Sequence, residues 1–181
     1  MDTRRLTIWT KLQEHRRLAS THPLQVLILG PSNDGSPEYR VRCKVRDKLE
    51  KLGHNPAFGE DLHQQSQALR NPIDDLTLQA DSADLIIMIY CSRGTQTERD
   101  VLLSTKNFAE KSIIFVEENL HKKIEKSLAG EDWKMMCRAA DVIKYSQAEF
   151  EKCVISKVRQ RTEELRKQAY ARVIRFGALT R

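Results

Sequence analysis

The sequence has no apolar run approaching the roughly 20 residues needed to cross a bilayer, so no membrane-spanning helix is predicted. Its start, Met1-Asp2-Thr3-Arg4-Arg5-Leu6-Thr7-Ile8-Trp9, lacks the long apolar core of a secretory signal, and a cytoplasmic location is expected. Cysteine is sparse: Cys43, Cys91, Cys137 and Cys153 are widely spaced and form no CxxC pair. A disulfide framework or zinc site is therefore not predicted, and each cysteine reads as a small buried apolar residue in a reducing compartment. There is no GxGxxG or Walker loop, which argues against a dinucleotide dehydrogenase and a P-loop NTPase. His54 and His63 have no partner at metal-ligand spacing, so no metal is assigned. Repeats, low-complexity tracts and long linkers are also missing.

What is present is an alternation of short apolar runs and amphipathic stretches over 181 residues, enough for one domain with a proper core. Strands are expected at 24–29, 54–58, 84–90, 112–116 and 141–144. Helices are expected at 3–19, from a Ser36 cap with Pro37 at its first position to Gly53, at 73–82, at 96–108, in the region 120–139, and from Ser146 to about residue 171. The first helix has a possible stripe of Leu6, Trp9, Leu12 and Leu18. The last opens on Ser146-Gln147-Ala148-Glu149, a capping box, and continues through Phe150, Val154, Val158, Leu165 and Ala169. Strands alternating with helices imply βαβ units and a parallel sheet. The predicted fold is α/β, a flavodoxin-like three-layer sandwich with a parallel five-stranded sheet in the order 2-1-3-4-5 and helical extensions at both termini. The division is 1–22 as an N-terminal helical extension, 23–145 as the α/β domain and 146–181 as a basic C-terminal helix packed on it.

Charge divides the chain in the same way. The net charge is +6; residues 1–22 carry +3 and residues 152–181 carry +7, which leaves −4 for the middle. Basic ends can dock on nucleic acid or an acidic partner. They are equally the solvated faces of terminal helices, because no aromatic residues interleave with the charges as a stacking platform requires.

The chemistry-bearing stretch is Ala83-Asp84-Leu85-Ile86-Ile87-Met88-Ile89-Tyr90-Cys91-Ser92-Arg93-Gly94-Thr95-Gln96-Thr97-Glu98. An apolar strand runs into a small-residue turn, and a carboxylate follows. Ligands of open α/β sheets bind at the carboxyl ends of the strands, which makes Glu98 the first candidate for an active-site residue. Glu60 and Asp61, after the second strand, and Asp34, after the first, are polar groups near the same edge. The hydroxyls of Ser32, Ser92 and Thr95 can bind a sugar, and the helix starts after the first and third strands can hold a phosphate. Ordinary explanations exist for each. Thr95-x-x-Glu98 is formally a capping box. Glu60 and Asp61 suit a polar loop, Asn33 and Asp34 a turn, and Asp84 a cap or a bond to a loop.

Taken in order, Leu29-Gly30-Pro31, Leu52-Gly53-His54, Gly59-Glu60-Asp61, Ala83-Asp84 and Gly94-Thr95-Gln96-Thr97-Glu98 resemble the nucleoside 2-deoxyribosyltransferase-like family over roughly residues 24–120. The pattern is similar to the shorter, divergent branch found as effectors of bacterial anti-phage systems, including retron-associated ones. That branch is related in fold to TIR domains, many of which cleave NAD. The resemblance implies that Glu98 attacks the anomeric carbon of a nucleoside. It also implies that the loop after the first strand, with Gly30, Pro31 and Ser32, contacts the sugar or base; Gly94 and Thr95, in the turn after the third strand, are further candidate substrate-binding residues. One departure stands out: relatives follow the glutamate with a small or apolar pair, often Leu-Gly, whereas this chain has Arg99-Asp100. The base-binding and carboxy-terminal residues of the transferases have no match here.

The expectation is therefore an N-glycosidase acting on NAD or a related nucleoside or nucleotide, working in antiviral defence. A carboxylate near the anomeric carbon stabilises an oxocarbenium-like centre or forms a glycosyl intermediate. No cofactor is expected, NAD entering only as substrate. The expected partners are that small molecule, a second copy of the chain, and a nucleic-acid or protein regulator reached through the basic terminal helices. The alternative is a non-catalytic TIR-like module for nucleotide binding or protein interaction.

Overall fold

The computed structural model describes residue 13 and residues 22–32, 35–61, 71–91, 94–126 and 130–179. Five strands form one sheet: β1 (Gln25–Leu29), β2 (Asn55–Phe58), β3 (Leu85–Tyr90), β4 (Ser112–Glu117) and β5 (Asp141–Tyr145). Every pairing is parallel, and the order is β2-β1-β3-β4-β5. Between and after them lie α1 (Pro37–Lys51), α2 (Pro72–Ser82), α3 (Gly94–Leu103), α4 (Lys106–Glu110), α5 (Glu118–Glu125), α6 (Gly130–Met136), a 3-10 turn (Cys137–Ala139) and α7 (Phe150–Leu179). This is the flavodoxin-like α/β sandwich, whose loops diverge in opposite directions at the ends of β1 and β3. Among the described residues no helix is long and apolar enough to cross a membrane.

The apolar runs follow from helices covering both faces of the sheet. Alternate residues of a strand point to opposite sides. Val26 and Ile28 of β1, Leu85, Ile87 and Ile89 of β3, and Ile113 and Phe115 of β4 pack with Val41, Val45 and Leu49 of α1 and Phe150, Val154 and Val158 of α7. The intervening Leu27, Leu29, Ile86, Met88, Tyr90, Ile114 and Val116 pack on the other side, with Ala80 of α2, Leu102 and Leu103 of α3, Phe108 and Ala109 of α4, and Trp133 and Cys137. All six residues of β3 are buried because the strand lies at the centre of both cores. Each such aliphatic side chain contributes about 1.5–3 kcal/mol by leaving water.

The caps set the helix limits. Ser36 accepts a hydrogen bond from the Tyr39 N–H at 3.0 Å, and Pro37 follows it. Gly53, at φ +77°, ends α1 in the left-handed conformation that suits glycine. Asn71 caps α2 through the Ile73 N–H.

Several boundaries differ from the sequence reading. The helix expected at 96–108 starts earlier, at Gly94, and is broken at Ser104-Thr105 into α3 and α4. Ser104 back-bonds through its hydroxyl to the Val101 carbonyl, and Thr105 takes the extended conformation that caps α4. The region 120–139 is α5, α6 and a 3-10 turn. Ser146 does not open the last helix. A turn closed by the Glu149 N–H donating to the Ser146 carbonyl intervenes, and α7 begins at Phe150, with the Cys153 N–H bonded to the Glu149 carbonyl. That helix runs to Leu179, well past residue 171. Of the four cysteines, all free thiols, only Cys137 is buried; Cys43, Cys91 and Cys153 are half-buried. The expected helix 3–19 lies outside the described residues apart from Gln13, as does His63.

Part of the basic character of α7 is engaged within the molecule, while Lys152, Lys157 and Lys167 are exposed. Arg159 pairs with Glu163, and Arg161 with Glu164. Arg166 donates to the His22 and Leu52 carbonyls, tying the helix to the end of α1 and the approach to β1.

Candidate functional site

The carboxyl ends of β1, β2 and β3 bring the site together. The register sets Leu29 beside Met88, so β3 runs two residues further than β1. Gly30 then turns away against Ile89 with φ +155°. A Cβ there would stand 3.3 Å from the Ile89 Cβ and 3.4 Å from its carbonyl oxygen. The strand end thus requires glycine, and Pro31 follows it into the core while Ser32 is exposed.

Beneath this turn lies Arg42, a residue absent from the sequence reading. It is 1% exposed. Its Nη2 donates to the Ile28 carbonyl at 2.9 Å and to Glu60 Oε2 at 2.6 Å. Its Nη1 donates to the Pro31 carbonyl at 2.9 Å and to Glu60 Oε1 at 2.7 Å. The guanidinium also lies 4.1 Å from the centre of the Phe58 ring. A buried charge is strongly unfavourable unless paired and hydrogen-bonded; the two terminal nitrogens of the fork meet both demands, while the buried Nε has no partner. Arg42 therefore fastens the end of β1 to residues 59–61, which follow β2 directly and are helical rather than the polar loop expected for Glu60 and Asp61. Its neighbour Arg46 covers the same Phe58 ring at 4.3 Å and pairs with Asp61 at 3.5 Å. A signal existed: Arg42 shares a helical face with Val45 and Leu49, where a solvated arginine would not belong.

Glu98 projects from α3 into this neighbourhood. Burial raises its pKa to about 7, with Arg42 lowering it and Glu60 raising it. Its Oε2 is buried without a hydrogen-bond partner. This does not suit the capping box. With α3 starting at Gly94, Thr95 is already inside the helix and Glu98 is its fifth residue, past the position from which a carboxylate reaches back to a cap. A group with a raised pKa, desolvated beside a specific ion pair at a strand end, fits a reactive carboxyl.

The departure at Arg99-Asp100 is a packing feature. Arg99 is 9% exposed. It lies 5.3 Å from the Trp133 ring centre and 5.5 Å from that of Tyr90, and its Nη1 reaches the Tyr90 hydroxyl at 3.4 Å. Its Nε donates to Asp100 Oδ1 at 2.7 Å. Tyr90 and Trp133 are themselves 5.3 Å apart, and His121 meets Trp133 edge-on. The pair directs its cation into an aromatic cluster on one side of α3.

The other candidates fall as follows. Gly30, Pro31 and Glu60 meet around Arg42, and Glu98 feels the charges of Arg42 and Glu60; Asp61 is engaged by Arg46, and Ser32 is exposed. Gly94 opens α3, and Thr95 lies in its first turn. Asp34 and Ser92 lie outside the described residues. Asp84 is at the opposite edge: its Oδ2 accepts from the Gln25 N–H and its own N–H donates to the Gln25 carbonyl, both at 2.8 Å, fixing the start of β3 against β1. His54 is buried just before β2, where its Nδ1 accepts from the Leu24 N–H at 3.2 Å. Among the described residues no cluster of His, Cys, Asp and Glu side chains could hold a metal ion. Comparison with known protein families and with curated proteins finds no match for this chain.

Proposed function

We propose that the protein is an N-glycosidase that cleaves the base–ribose bond of NAD or a related nucleoside or nucleotide, with Glu98 as the reacting carboxyl. The observation that carries this reading is the buried Glu98 Oε2, without a partner, beside the Arg42–Glu60 pair at the topological switch point. A group that titrates near neutrality is present in part as carboxylate at physiological pH. As carboxylate it stabilises the developing cation at the anomeric carbon or forms a glycosyl intermediate. A neutral leaving base takes its proton from a second group, for which Glu60 and Asp61 are the nearby candidates. Nicotinamide, already cationic in NAD, needs only the carboxylate. The half-exposed Glu60 is placed to accept hydrogen bonds from ribose hydroxyls, and the Gly30-Pro31 turn to shape the wall beside them. Antiviral defence belongs to the same proposal and rests on the family resemblance alone; a cytoplasmic setting is proposed from the sparse, widely spaced cysteines.

The test is chromatography of the purified protein incubated with NAD, NADP and a panel of nucleosides and nucleotides, with Glu98→Gln in parallel. Release of free base by the wild type alone is the expected result. No turnover by a folded protein at high concentration would refute the glycosidase and favour a binding module.

A further inference from the structure

We propose that the seam between α1 and α7 is a track for the phosphate backbone of a nucleic acid, bound without regard to base sequence. The two helical layers of the sandwich carry opposite charge. On one face of the sheet, α1 and α7 together hold fourteen basic and six acidic residues; on the other, α2 to α6 hold five basic and ten acidic. A polyanion is therefore drawn to the α1–α7 face.

The cations on that face are aligned. The two helices pack side by side. At one end Lys44 Nζ donates to Glu151 Oε2 at 2.7 Å, and at the other Arg166 Nη2 donates to the Leu52 carbonyl at 2.5 Å. These contacts fix the flanks that face the seam. Arg40, Lys48 and Lys51 stand four or seven residues from Lys44 and share its flank of α1. Lys152 and Arg159 precede Arg166 by fourteen and seven residues, whole pairs of turns, and share its flank of α7. The carboxylates of Glu151 and Glu163 are taken up by Lys44 and Arg159. Arg40, Lys48, Lys51 and Lys152 are exposed and form no ion pair with another described residue; Asp47 and Glu50 are the exposed carboxylates left on α1. No aromatic residue lies between the cations of either row, so the contacts suit phosphates rather than stacked bases. A membrane surface is a poorer fit. The large apolar side chains exposed among the described residues are Ile73, Leu78 and Met135, none of them on α1 or α7. This inference does not depend on the glycosidase reading.

The experiment is fluorescence anisotropy of the full chain with labelled single strands of about 30 nucleotides in two unrelated sequences, over roughly 50 to 200 mM salt. With four free cations on phosphates, log affinity should fall against log salt with a slope of about −3, alike for both sequences. Lys48→Glu combined with Lys51→Glu should weaken binding by about tenfold or more and flatten the slope by about 1 or more. Lys122→Glu combined with Lys123→Glu changes the net charge equally, at exposed lysines of α5 on the opposite layer, and should leave affinity within about twofold. If the α1 variant does not fold, Lys152→Glu decides. An acid in the first turn of α7 suits the helix dipole, so folding is retained, and binding should weaken by about threefold or more. No binding at the lowest salt, a marked preference for one sequence, or equal losses in the α1 and α5 variants would overturn the proposal. So would binding to vesicles of anionic phospholipid in place of the strands.

Discussion

Replacing Glu98 by glutamine should stabilise the protein at alkaline pH. In the unfolded chain the carboxyl ionises at its ordinary value of 4.5; in the folded protein burial holds it to about 7. The folded state therefore binds the proton more tightly, and stability falls as pH rises from the first value to the second. Each pKa unit corresponds to about 1.4 kcal/mol, so the full penalty above neutrality is about 3.4 kcal/mol. Roughly 0.8 kcal/mol of this is already present at pH 5, which leaves about 2.5 kcal/mol to develop between pH 5 and pH 8. Glutamine keeps the shape of the neutral acid and does not titrate. Urea denaturation of both proteins at the two pH values measures the effect directly. The wild type should lose about 2.5 kcal/mol more than the variant over that interval. Stability curves that run parallel from pH 5 to pH 8 would refute the argument that Glu98 is held in its neutral form. A variant less stable at every pH would return Glu98 to an ordinary helix-start role, where removing a capping group costs about 1 kcal/mol.

Two further outcomes are expected. Burial lowers the His54 pKa to about 4, with the Arg166 charge acting in the same direction; the unfolded chain gains the proton first on acidification, so stability is lost as pH falls from about 6.5 towards 4. The wild type should lose stability over that range relative to His54→Gln, measured by thermal melts from pH 4 to pH 7, and identical slopes for the two proteins would contradict this. Gly30→Ala forces a Cβ against Ile89 at a positive φ and should cost about 1–3 kcal/mol in chemical denaturation; a variant as stable as the wild type would show that the strand end is not strained by a side chain.

The local elements were legible because their signals are local. Ser36-Pro37 and Gly53 bound α1 through hydrogen bonds and φ preferences confined to a few residues. The failures have the same physical origin. The turn at Ser146 imitates a helix start in sequence, but the first helical hydrogen bond forms from Glu149. The break at Ser104-Thr105 carries neither glycine nor proline, so nothing in the string marks it.

The apolar runs by themselves determined the layered α/β class, since strands of that composition need cover on both faces, and they placed Glu98 after the central strand. Only the tertiary structure decided what surrounds it. Arg42 comes from a helix 56 positions earlier and Glu60 from the helical residues just after β2, 38 positions earlier, and their meeting depends on the register of the strands they follow. Arg99 reads in the string only as a departure from the pattern of the family the sequence resembles; in the fold it is a cation packed between Tyr90 and Trp133. Burial and charge pairing are properties of neighbours in space. Hydrophobic periodicity along the chain specifies which face of an element turns inward, but it does not specify which distant polar group will be waiting there.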